Sequence, residues 1–193
     1  MGGRGASSGL AESQSVIKNI ENKICRDTME TAYLVDKNGN IIFSKSDNMR
    51  SCVSFSYEQL KMFEGNIITH NHPCGSTFSY EDVSLLTRHK CREIRAATSS
   101  GTFSLIVDKN SNNYKEGSQD FAEAYKISMD LNKIVTDIEY EKIQRDYDSG
   151  QINREDFQNG CDLLNNQLSE IRNQWLEKNA HKYGYIYKFH KWR

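Results

Sequence analysis

Apolar residues change their spacing several times along the chain, and each change marks an element. Over residues 14–25, Val16, Ile17, Ile20 and Ile24 fall on one helical face. Residues 30–36 read as a strand, Lys37-Asn38-Gly39-Asn40 as a hairpin turn, and Ile41-Ile42-Phe43 as the partner strand. Ser56 to Leu60 opens a short helix that ends by Gly65. The apolar run Ile67-Ile68-Thr69 leads into His70-Asn71-His72, and Pro73 stops that strand. A helix follows from Ser79 to about His89. Strands over 94–97 and 102–107 are joined by a turn at Ser99-Ser100-Gly101. The order helix, strand, strand, helix, strand, helix, strand, strand predicts an α/β (α+β) fold. A mixed sheet sandwiched by helices occupies residues 14–115.

Residues 118–183 have a different pattern. From Asp120 to Asp148 the spacing is helical, with Ala124, Ile127, Leu131, Ile134 and Ile138 on one stripe. Ser149-Gly150 breaks it, and Asn153 followed by Asp156 caps a second helix. There Phe157, Cys161, Leu164, Leu168, Ile171 and Trp175 make a heptad seam. Two long helices with a short turn predict a C-terminal antiparallel helical hairpin. Both stripes read as packing surfaces. Residues 184–193 alternate and are expected to return to the sheet as a strand, which makes the hairpin an insertion. Residues 1–13, Gly/Ser-rich from Met1 to Ser8, are expected to be disordered.

Charge removes some functions. With 25 basic and 26 acidic residues the net charge is -1, so bulk attraction to nucleic acid or an anionic membrane is not expected. The one basic patch, Lys178, Lys182, Lys188, Lys191 and Arg193 against Glu177, reads as a solvated helix end, with a local phosphate contact as the alternative. Five cysteines (Cys25, Cys52, Cys74, Cys91, Cys161) lack a paired spacing, and no signal peptide or membrane span is visible. A reducing, cytoplasmic location is expected.

Chemistry concentrates in one stretch. Two histidines two apart on a strand present both imidazoles to one face. A helix starting at Ser79 places Asp82 in its first turn, facing back toward the strand end. His70, His72 and Asp82 are three ligands, the number a catalytic zinc takes while leaving a position for water. His70-x-His72-Pro73 followed by Ser79-x-x-Asp82, with an acidic residue on an earlier strand, resembles the JAMM (MPN+ or JAB) zinc metalloproteases. The similarity is to the HNHP form of their bacterial and phage branches, including RadC-like proteins, and covers roughly residues 28–108. The Met1-Gly2-Gly3-Arg4-Gly5 opening resembles starts of phage and mobile-element proteins.

That resemblance implies a JAMM/cytidine-deaminase-like core, a Zn2+ cofactor held by His70, His72 and Asp82, and hydrolysis of peptide or isopeptide bonds. Ser79 is implied as donor to the oxyanion. Glu30 is implied as general base, with Glu21 and Glu64 as fallbacks. The loop Pro73–Phe78 is one residue shorter than the family's usual spacing. The implied partner is a protein or peptide substrate, with the hairpin as its recognition element. Other readings stay open: Cys74 as a fourth ligand closing a structural site, or as a nucleophile paired with His70 or His72. A metal-dependent nuclease and a catalytically silent adaptor acting by protein binding are the alternative functions. His89, His181 and His190 read as surface residues.

Overall fold

Asp36 closes the first turn by accepting from the backbone N–H groups of Asn38 and Asn40 at 2.8 and 2.9 Å. Gly39 there takes φ 92°, a conformation L side chains avoid. The result is the expected hairpin of β1 (Ala32–Val35) and β2 (Ile41–Lys45). The computed structural model describes residues 6–192, with side chains from residue 13 onward.

A second unit joins β3 (Ile67–Asn71), helix α3 (Tyr80–Arg88) and β4 (Glu93–Ala97), with the two strands parallel. The hairpin strand β1 runs antiparallel beside β3, and β5 (Gly101–Val107) antiparallel beside β4. The chain then leaves through helices α4 (Asp120–Asp148) and α5 (Arg154–Asn179). It returns as β6 (Tyr185–Lys191), antiparallel to β5. The sheet order is β2-β1-β3-β4-β5-β6. Both helices of the hairpin thus lie between two adjacent strands of one sheet, and a mixed α/β fold results.

Strand alternation splits the core in two. Leu34, Ile68, Ile94 and Leu105 pack on one face against Val83 and Leu86 of α3, Phe121 and Tyr125 of α4, and Leu176 of α5. Val35, Ile67 and Ala97 face the other way, onto Ile17, Ile20 and Ile24 of helix α1 (Ala6–Ile24). That second face also holds ions. Arg95 lies between Glu21 and Glu93, each at 2.6 Å, with all three side chains buried.

Three expectations need correction. Helix α1 begins at Ala6, so residues 6–13 are helical rather than disordered, while residues 1–5 lie outside the described residues. The basic patch is not one helix end: Lys178 is on α5, Lys182 in a following 3-10 turn, and Lys188 and Lys191 on β6, while Arg193 lies outside the described residues. Finally, the α4 stripe faces water, with Ile127, Leu131, Ile134 and Ile138 at 59–64% exposure. The helix packs instead through Phe121, Ala122, Tyr125, Met129 and Thr136. This inner face mixes polar and aromatic residues, so apolar spacing alone selects the wrong side. The α5 seam does turn inward, with Leu164 buried and Phe157, Cys161, Leu168, Ile171 and Trp175 half-buried. Gly160 permits a close approach there, because a Cβ would stand 3.1 Å from the Ile143 side chain.

Candidate metal centre

β3 carries both histidines. His70 occupies the same strand face as Ile68, and His72 continues it by pairing its N–H to the Ala97 carbonyl at 2.8 Å. Pro73 ends the pairing, and Gly75 at φ 76° turns the chain back. Ser79 then caps α3. Its Oγ accepts from the Asp82 N–H at 3.1 Å, while Asp82 Oδ2 accepts from the Ser79 N–H at 2.7 Å. This capping box fixes the carboxylate in the first helical turn. The capping box therefore holds Ser79 and Asp82 in one fixed relation at the start of α3.

The Nε2 atoms of His70 and His72 stand 2.8 Å apart. Asp82 approaches both, Oδ1 to His70 at 3.1 Å and Oδ2 to His72 at 3.5 Å. Ligands held about 2.0–2.1 Å from a tetrahedral zinc would be separated by about 3.3 Å. The three measured separations bracket that edge. Glu30 enters from the segment ahead of β1, and Glu30, His70 and His72 offer ligand atoms that all lie within 4.8 Å of one another. This group could hold a metal ion. Both carboxylates therefore address the same imidazole pair, with Asp82 at measured ligand-to-ligand distances and Glu30 within a looser bound.

Second contacts orient these groups. His72 Nδ1 lies 2.9 Å from the Ser76 carbonyl, which can only accept. The ring therefore carries a proton on Nδ1, and its Nε2 is the atom turned to the centre. Burial opposes a charge on His72, but the hydrogen bond and charge of Asp82 outweigh it and push the pKa up to about 9. Burial works against the Asp82 charge too, yet His70 and His72 hold its carboxyl well below the ordinary range. Burial raises Glu30, partly countered by the two histidines.

Asn71, pointing to the opposite face, does something that a search for metal ligands misses. Its Oδ1 accepts from the Thr31 N–H at 2.8 Å, and its Nδ2 donates to the Met29 and Asp27 carbonyls at 3.0 and 3.1 Å. It therefore pins the residues on both sides of Glu30. Strand alternation was the available signal, since a polar residue between two ligands must face away from them. Asn71→Ala is expected to cost about 1–3 kcal/mol by leaving buried amide groups unpaired. Urea unfolding would read this loss.

The helical hairpin braces the loop between strand and helix. Tyr125 of α4 donates to the Phe78 carbonyl at 2.7 Å. Thr77 Oγ1 lies 2.6 Å from the Tyr187 hydroxyl, which donates to Asn173 of α5 at 2.7 Å. All five expected residues, Glu30, His70, His72, Ser79 and Asp82, line one cleft of about 460 Å³. Glu21 lies instead with Arg95 on the other face of the sheet, and Glu64 pairs with Lys90 at 3.7 Å, so neither fallback reaches the cleft. Cys74 is exposed at the rim, 3.1 Å from the Ser76 hydroxyl, and is outside the compact donor group. Comparison of the chain with protein-family models, curated proteins and solved structures finds no match.

Proposed function

We propose that this chain is a zinc-dependent metallohydrolase of JAMM type that cleaves peptide or isopeptide bonds. The observation carrying this reading is the convergence of two imidazole Nε2 atoms and the Asp82 carboxylate, with a buried Glu30 beside them. His70, His72 and Asp82 would hold the ion. Zinc held there would supply Lewis acidity that acidifies water and polarises a carbonyl.

The protein groups divide the remaining work. Glu30 is 8% exposed, and its raised pKa suits a group that takes a proton from water and returns it to a departing amine. Asp27, Met29 and Thr31 are held by Asn71, so the backbone that carries Glu30 is fixed beside the histidines. Ser79 donates its hydroxyl proton to Asp82 Oδ2 at 2.8 Å. Its service to an oxyanion requires that hydroxyl to rotate toward the substrate. Val53, Phe55, Ile68 and Leu85 give the cleft apolar walls suited to a peptide side chain.

The test is elemental analysis of purified protein together with a peptide-hydrolysis assay. One zinc per chain, lost in His72→Ala, and chelator-sensitive hydrolysis are the expected results. Protein that takes up no zinc, or activity indifferent to chelation, would overturn the reading.

A further inference from the structure

One arginine side chain in the cleft makes no hydrogen bond or ion pair among the described residues. Arg172 of α5 lines the cleft that Ser79, Glu81 and Asp82 also line, yet its Nε is buried without a hydrogen-bond partner. Among the described residues it forms no ion pair. A guanidinium with a buried, unsatisfied donor costs stability unless something supplies an acceptor. By contrast Arg95, the other arginine buried near carboxylates, satisfies two of them. Arg172 is also held in place. The neighbouring Asn173 is tied through Tyr187 to Thr77, and Ser169 one turn earlier accepts from the Thr77 N–H at 3.4 Å. Arg50 enters the same cleft from the segment before α2 (Tyr57–Lys61), and among the described residues the one carboxylate lining it besides Glu30 and Asp82 is the exposed Glu81.

We infer that Arg172 binds a carboxylate of the substrate, so that the cleft takes an acidic peptide in preference to a neutral one. The inference rests on the metallohydrolase reading and deepens it by naming a substrate class. A planar guanidinium fork matches a carboxylate through two parallel hydrogen bonds, which fixes orientation as well as charge. The hairpin then does two things at one place: Tyr125 and Asn173 brace the loop, and Arg172 reads what enters. An acidic side chain and a free C-terminus offer the same carboxylate, and the experiment separates them.

Zinc-loaded wild type, Arg172→Gln and Arg172→Lys are titrated by NMR with three short peptides. One carries Asp and is blocked at both ends. One carries Asn with a free C-terminus, and one carries Asn and is blocked at both ends. In wild type, one of the two anionic peptides is expected to bind about ten- to a hundred-fold tighter than the neutral one, as a charged hydrogen bond would give. That peptide identifies the source of the carboxylate. The preference should collapse toward unity in Arg172→Gln and return in part in Arg172→Lys, which keeps the charge if the first variant folds poorly. No preference in wild type, or one that survives Arg172→Gln with zinc bound, overturns the assignment to Arg172 alone. Failure of wild type to take up zinc overturns the underlying centre.

Discussion

Glu30→Gln is expected to lower peptide hydrolysis by about 10²–10⁴-fold while leaving zinc content at the wild-type level. The substitution keeps shape and hydrogen-bonding reach but removes the ability to accept a proton. Asn71 grips the backbone on either side of position 30 rather than the side chain, so the segment should hold its place. The Glu30 backbone is anchored further, its N–H donating to the Met49 carbonyl at 2.8 Å and its carbonyl accepting from Ser46 at 2.8 Å. Glu30 lies within ligand range of both histidines, so the same variant asks a second question. Were Glu30 a zinc ligand in place of Asp82, metal and activity would fall together. Steady-state rates and elemental analysis on the same sample separate the two roles, and unchanged turnover would remove Glu30 from the chemistry.

The two kinds of information in the sequence were unequally legible. His70 and His72 could be placed on one face because strand alternation is rigid, and Asp82 followed because a cap at Ser79 dictates where the first turn points. Both signals are local. What α4 does is not local: its buried side is set by where Phe121 and Tyr125 meet β-strand residues far away in sequence, and the apolar stripe at Ile127–Ile138 points elsewhere. The braces Tyr125–Phe78 and Tyr187–Thr77 join residues 47 and 110 positions apart, beyond any periodicity argument. Asn71 lay between these cases, since its direction was readable and its partners were not. Arg172 was invisible for the same reason as Tyr125: only the docking of α5 brings it to the cleft.

Asp82→Ala should have the largest effect on folding, a loss of about 3–5 kcal/mol in the metal-free protein near pH 5.5. The buried His72 imidazole loses its counter-charge, His70 loses a close partner, and α3 loses half of its capping box. Asp82→Asn separates these causes, because the amide oxygen can still accept from the Ser79 N–H while the charge is gone. The pH dependence has a definite sign. His72, raised to about 9 from an ordinary 6.5, contributes stability fully below pH 6.5 and loses it as pH rises through 9. Asp82, held below its ordinary 3.8, contributes above that value and loses its contribution as pH falls toward the depressed folded pKa. Through this pair the metal-free protein is therefore most stable between about pH 4 and 6.5. Zinc at the proposed centre would reverse the alkaline side, because it binds deprotonated ligands and would replace the proton that His72 gives up. Urea unfolding at pH 5.5, 7.5 and 9 should thus show stability falling with pH in chelator and the zinc increment rising with it. In Asp82→Asn both slopes should flatten. A wild-type profile that matches the variant's at every pH would mean that Asp82 and His72 do not act as one charged pair.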